Sequence, residues 1–234
     1  MDRRGLVLQP EDTPVTPPAA TLPISPAAPA VWLASASPRR RQLLEQLGLA
    51  PRVRVADVAE RREPDEAPTA YALRLAQSKG RAVRDSLGQT AGPSWIVAAD
   101  TIVVLGPEVL EKPVDVPDAI QILRRLSGKT HTVTTAFWLG HRDGGLERLE
   151  AIHSQVQFLP LDRDEIERYV ATGEPMDKAG AYGIQGLGGA LVARIEGSYF
   201  NIVGLPIAEL VATMRAVGAL VDFPWGPTPA GGQG

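Results

Sequence analysis

Val31-Trp-Leu-Ala-Ser-Ala-Ser-Pro-Arg-Arg40 is the stretch whose reading decides the architecture. A short apolar run ends in small hydroxyl residues, a proline and arginines. This predicts a strand over Val31–Ser35 that runs straight into a helix over Pro38–Leu47. Ser37 suits the N-cap and Pro38 the first helical position. Leu43, Leu44 and Leu47 share one face, and Gly48 ends the helix. The first turn of a helix favours acidic residues, because the dipole is positive there. This one carries Arg39, Arg40 and Arg41 instead. The pattern points to an anion at the helix start, and a phosphate fits it: free backbone N–H groups, the hydroxyls of Ser35 and Ser37, and a guanidinium fork would converge on it. A solvated basic turn is the alternative. On the dipole argument alone, removing Arg40 should leave the ligand-free protein equally stable or slightly more so.

Working outward, strands and helices alternate. Tyr71–Leu87 reads as a long helix. Trp95–Ala99 and Ile102–Leu105 read as two strands, with Asp100 at a turn or in a site between them. Asp118–Leu126 reads as a helix capped by Asp115 and closed by Gly128. Thr130–Leu139 and Leu146–Leu159 flank Arg142-Asp-Gly-Gly145, a hairpin turn. Asp162–Ala171 is a helix with a capping-box pair, Asp162 and Glu165. Leu191–Ile195 and Tyr199–Val203 read as short strands, and Pro206–Val217 as a closing helix. The expected fold class is α/β, with a mixed sheet that contains an antiparallel hairpin.

The ends differ from this core. Residues 1–29 hold seven of the chain's 21 prolines and show no periodicity, so they read as a disordered extension. Residues 30–223 form the expected domain, and 224–234 a Gly/Pro-rich disordered tail. A net charge of −3 gives no case for nucleic acid or a membrane surface as a partner. The absence of cysteine excludes disulfides, thiolate zinc sites and a cysteine nucleophile. No apolar run approaches the roughly 18 residues that span a bilayer. Met1 to Leu8 lacks the apolar core of a secretory signal, so a cytoplasmic location is expected.

Standard nucleotide motifs, both the phosphate-binding loop and the dinucleotide fingerprint, are missing, as is a nucleophile elbow. His131, His141 and His153 lack metal-ligand spacing and read as structural. Asp100 interrupts buried-strand sequence, which is costly unless it is paired or binds a metal. Lys79 lies on the apolar stripe of its helix with Ala72, Leu75, Ala76, Ala82 and Val83; a snorkelling lysine is the alternative. Lys112 follows a strand in the proline-stiffened Leu110-Glu-Lys-Pro113. The segment Asp177-Lys-Ala-Gly-Ala-Tyr-Gly-Ile-Gln-Gly-Leu-Gly-Gly189 places five glycines within ten residues. It reads as a loop whose backbone approaches a ligand closely.

Taken together these pieces resemble the Maf family of nucleoside triphosphate pyrophosphatases, over roughly residues 31–215. The match includes Ser35-Ala-Ser-Pro-Arg-Arg40, Arg74-Leu-Ala76 with Lys79, Ala99-Asp-Thr101, Glu111-Lys-Pro113 with Asp115, and Leu126-Ser-Gly128 with His131. It continues through the Asp177–Gly186 segment and Val203-Gly-Leu-Pro206. One departure is Asp57-Val-Ala-Glu60, where the family has a further acidic residue at the position of Ala59; Glu60 remains as a candidate metal carboxylate. Residues 1–29 lie outside the family pattern.

The resemblance implies two lobes around a central cleft, a Maf/ITPase-like arrangement, often as a homodimer. It implies hydrolysis of a nucleoside triphosphate to the monophosphate and pyrophosphate with a divalent cation, Mg²⁺ or Mn²⁺. Ser35, Ser37, Arg39 and Arg40 would hold the polyphosphate. Lys79 and Lys112 would neutralise the pyrophosphate leaving group. Glu60 and Asp100 would hold the metal, and Asp100 would orient or deprotonate the attacking water. Gln185 matches the dTTP/UTP branch; a branch acting on 7-methyl-GTP has glutamate there. An amide can both donate to and accept from uracil or thymine, whereas the adjacent donors of guanine suit a carboxylate. Arg39 and Thr101 match the family's other two specificity positions. The rival readings are a nucleotide-binding regulator of cell division without turnover, a pyrophosphatase of the 7-methyl-GTP type, and a phosphate-ester hydrolase working through an aspartyl intermediate.

Overall fold

The computed structural model describes residues 30–88 and 92–220. The expected extension over 1–29, the expected core end at Phe223 and the tail over 224–234 lie outside the described residues.

Strand β1 (Ala30–Leu33) leads into helix α1 (Pro38–Gln46) as the opening motif predicts. The Ser37 side chain accepts from the Arg40 amide at 3.5 Å, and Gly48 leaves the helix at φ +73°. Next comes β2 (Ala50–Val53), which the sequence reading did not anticipate. It is a short, largely exposed edge strand with a proline in it, so it carries no alternating pattern. Then follow α2 (Pro68–Leu87), β3 (Trp95–Leu105), β4 (Glu108–Leu110), α3 (Val116–Leu126), β5 (Thr130–His141), β6 (Glu147–Phe158) and α4 (Arg163–Ala171). A glycine-rich segment of short 3₁₀ turns within Glu174–Leu191 precedes β7 (Val192–Glu196), α5 (Tyr199–Val203) and α6 (Ile207–Ala216).

The seven strands form one mixed sheet in the order β2-β1-β3-β5-β6-β7, with β4 on β3. The pairs β1–β2 and β1–β3 are parallel, and the others antiparallel, including the predicted β5–β6 hairpin. Two element expectations are corrected. Trp95–Leu105 is one continuous strand: Asp100 sits mid-strand opposite Ala136, with Thr101 opposite Thr135. The polar pair interrupts the apolar pattern but not the ladder. Tyr199–Val203 is a helical turn, not a strand. Ser198 caps it at the Asn201 amide (3.3 Å), and Gly204 closes it by donating to the carbonyls of Phe200 and Asn201. Five apolar-rich residues carry too little periodicity to separate the two states.

The sheet buries both faces. Trp32, Ile96, Ala98, Ala136 and Trp138 pack under α2. On the opposite face two clusters sit side by side. One joins Val31, Leu33, Val97, Ala99 and Phe137 to α1 and α6; the other joins Val103, Val133 and Phe158 to α3 and α4. These are the two expected lobes. They meet at a gap in the ladder: β5 pairs along one edge of β3, while the other edge is taken by β1 at residues 95–97 and by β4 at residues 103–105. Residues 98–102 have no strand partner on that edge among the described residues.

Candidate active site

The gap in the ladder places Asp100 and Thr101 where both sheet faces open onto one cavity of about 660 Å³. Neighbouring residues of a strand point to opposite faces. Asp100 turns toward α2 and Thr101 toward α1 and α5. Ser35, Ser37, Arg39, Arg40, Glu60, Lys79, Asp100, Thr101, Lys112 and Gln185 all line this cavity, so the structure brings every sequence-predicted site residue together.

The first wall is the turn into α1. Ser35 is buried, and its Oγ accepts from the Ser37 amide at 3.2 Å. Arg40 donates from Nε to the Gly204 carbonyl (2.8 Å), from Nη1 to Ser35 Oγ (3.1 Å) and from Nη2 to Thr101 Oγ1 (3.0 Å). Its guanidinium thus ties α1, β3 and the end of α5 into one unit. Burial lowers the Arg40 pKa, and the Asp100 charge works against that. The dipole-based expectation that Arg40 is dispensable for apo stability is therefore opposed by three protein acceptors that depend on this one side chain. Thr101 is fixed from its other side, 2.9 Å from Thr135 Oγ1. Thr135 donates to the Asn201 carbonyl at 2.7 Å, and the fully buried Asn201 amide donates to Val133 O and Ser154 Oγ. Arg39 faces Asp177 across the cavity at 3.7 Å, linking α1 to the glycine-rich segment.

The second wall is charged. Lys79 Nζ lies 2.5 Å from Glu60 and 2.6 Å from Asp100, so it is a bridging ammonium and not a snorkelling one. Lys112 Nζ lies 3.9 Å from the other oxygen of Glu60. Burial raises the Glu60 pKa, but the hydrogen bond and charge of Lys79, with Lys112 and Arg40, outweigh it and hold the carboxyl below its ordinary value. Glu111, whose role the sequence did not suggest, also lines the cavity. Burial and the charges of Asp100 and Glu60 push its carboxyl upward. Its only signal was adjacency to Lys112 in the Glu-Lys-Pro motif.

Glu60 and Asp100 converge on a single point, now held by an ammonium. A hard divalent cation takes oxygen donors and often keeps only one or two protein carboxylates, sharing the rest with phosphates and water. Among the described residues no group of three or more His, Asp or Glu side chains is arranged to hold an ion. The donor set therefore fits a cation shared with a phosphorylated ligand and not an all-protein cage.

The third wall is the segment Glu174–Gly186, which carries the exposed Gln185. Sequence reasoning quoted Asp177 and Lys178 but missed Glu174, which lies before the motif. The histidines do not meet here. His131 Nε2 lies 2.9 Å from Tyr182 Oη, and burial pushes its pKa down to about 4. His153 Nδ1 contacts Thr134 Oγ1 at 2.9 Å, and His141 Nδ1 contacts Asp143 at 2.5 Å. Among the described residues no helix is long and apolar enough to cross a membrane.

Residues 30–217 match the family model described as Maf-like protein. A protein of Anaeromyxobacter dehalogenans named dTTP/UTP pyrophosphatase is 50% identical over 200 residues, covering 85% of this chain and 98% of the relative. Its namesake in Geobacter sulfurreducens is 48% identical over 190 residues, covering 81% and 97%. Among solved structures, a nucleoside-triphosphatase / dITP/XTP pyrophosphatase from Mycobacterium abscessus aligns with TM-score 0.41 at 16% identity, covering 82% of this chain and 98% of that one.

Proposed function

This chain belongs to the Maf-like protein family, and on that premise we propose that it hydrolyses nucleoside triphosphates, dTTP and UTP above others, to the monophosphate and pyrophosphate. The observation that carries the reading is that the serine–arginine turn, the lysine–carboxylate cluster and Gln185 line one cavity. Such a cavity offers cationic groups for a polyphosphate and an amide for a base.

In this reading Ser35, Ser37, Arg39 and the amides at the start of α1 bind the polyphosphate, with Arg40 holding the turn in shape. Asp100 receives a proton from a water whose oxygen attacks the α-phosphorus. The bond from that phosphorus to the bridging oxygen breaks, and the oxygen leaves with pyrophosphate. Lys79 and Lys112 supply positive charge to the leaving group. Lys79 also holds the Asp100 carboxylate in place through their 2.6 Å ion pair. Glu60 and Asp100 would hold Mg²⁺ or Mn²⁺, which supplies charge neutralisation at the phosphates. Gln185 meets the pyrimidine edge as joint donor and acceptor, and Arg39 and Thr101 are the other two positions that bear on substrate choice.

Pyrophosphate release across UTP, dTTP, CTP, GTP and 7-methyl-GTP with Mg²⁺ or Mn²⁺ tests this directly. Pyrophosphate from UTP and dTTP, lost on chelation and restored by added metal, is the expected result. Inorganic phosphate as product, or no turnover of any nucleotide, would overturn it.

A further inference from the structure

The glycines of the segment around Gln185 are closely approached by protein atoms. A Cβ built on Gly186 would lie 2.2 Å from Glu174 Oε2, and one on Gly188 would lie 2.4 Å from the Tyr169 hydroxyl. On Gly183 it would lie 2.8 Å from Lys178 Cε. These positions are glycine because the chain is drawn tightly onto Glu174 and Tyr169. The Glu174 carboxylate accepts from the Leu187 and Gly188 amides, both at 2.9 Å, and from the Tyr169 hydroxyl at 2.8 Å. That hydroxyl oxygen in turn accepts from the Gly183 amide at 3.1 Å. Gln185 is thus bracketed: Tyr169 holds the chain two residues before it, and Glu174 holds it two and three residues after. Tyr169 is buried in the α3–α4 lobe, so the brace is anchored in a packed core.

We propose that Glu174 and Tyr169 are positioning residues that fix the backbone around Gln185 and so set the base selectivity of the site, an inference that rests on the reading of Gln185 as the base-facing residue. A glycine-rich loop loses more conformational entropy on ordering than any other sequence. Bracing it in the free protein removes that cost from the binding step, which appears as affinity and discrimination.

Tyr169→Phe in the full chain tests this, because it deletes the bridging hydroxyl from a residue that does not line the cavity. Glu174→Gln is the second variant should the first fold poorly. In the ligand-free protein, hydrogen exchange should accelerate about tenfold or more at the Gly183 amide in Tyr169→Phe, and at the Leu187 and Gly188 amides in Glu174→Gln, with a smaller rise at the other braced amides in each variant. KM for UTP should rise roughly five-fold or more with kcat little changed, and the preference for UTP over 7-methyl-GTP should shrink by a similar factor. A merely structural loss would lower activity on all nucleotides together and leave that ratio alone. Unchanged exchange at the three amides would overturn the brace. Faster exchange with a selectivity ratio within about twofold of wild type would overturn its role in base choice. If the wild-type protein turns over no nucleotide, the proposed function has failed, and the exchange measurement alone still decides the brace.

Discussion

Arg40→Ala separates the helix-dipole argument from the hydrogen-bond argument, which predict opposite signs. The dipole argument expects relief of about 0.3–1 kcal/mol when a cation leaves a helix start. Against it stand three hydrogen bonds from a charged donor, at 2.8, 3.1 and 3.0 Å, to Gly204 O, Ser35 Oγ and Thr101 Oγ1. Bonds of this kind are worth roughly 1.5–3 kcal/mol each when one partner is removed. Two of the acceptors retain other partners: Ser35 Oγ keeps the Ser37 amide, and Thr101 keeps Thr135. The full penalty therefore falls mainly on Gly204 O, and the net loss should be about 2–3 kcal/mol. For a chain of this size that lowers Tm by roughly 4–12 °C. Thermal melts of the ligand-free protein at pH 7 measure it, with Arg41→Ala as the control. Arg41 occupies the same turn but is exposed and pairs with Glu45 at i+4, so its removal should shift Tm by about 1 °C or less. An Arg40→Ala protein that melts at or above wild type, or indistinguishably from Arg41→Ala, would refute the tethering role.

Three further outcomes are expected. Asp100→Asn should fold and bind nucleotide but lose roughly 10²–10⁴-fold in turnover, read as pyrophosphate release; near-wild-type turnover would remove Asp100 from the chemistry. Gln185→Glu should lower kcat/KM for UTP and dTTP by about ten-fold to a hundred-fold while 7-methyl-GTP falls less or rises. Equal losses on both classes would show that Gln185 does not read the base. Glu147, at the start of β6 beside α2, is held at a pKa of about 2 by the hydrogen bond from Arg81, aided by Trp138 and Arg84 against the opposing effect of burial. Its folded value is depressed from 4.5, so its stabilisation is complete above that pH and is lost as pH falls toward 2. Glu147→Gln should therefore lower Tm at pH 7 by several degrees and flatten the decline of Tm between pH 5 and 2, and an unchanged acid slope would contradict the assignment.

The sequence by itself determined the elements whose signals are local. The Ser37 cap, Pro38, the leucine face and Gly48 specify α1 within a dozen residues; Asp115 and the Asp162/Glu165 pair mark two further helix starts, and the Arg142–Gly145 turn marks the hairpin. Such signals act over one or two turns of chain, so a linear reading captures them. The candidate site residues were legible for the same reason: each sits in a short motif of unusual composition. What only the tertiary structure decided depends on contacts between distant residues. That Asp100 continues a strand was settled by ten paired positions on β5, and that Tyr199–Val203 is helical by Ser198, Gly204 and the buried Asn201 amide. That Arg40 is tied down by protein acceptors, up to 164 positions away, showed only in the tertiary structure. That Glu174 and Tyr169 press on the glycines near Gln185 showed only in the tertiary structure, because steric demand shows in a sequence while the atom that imposes it does not.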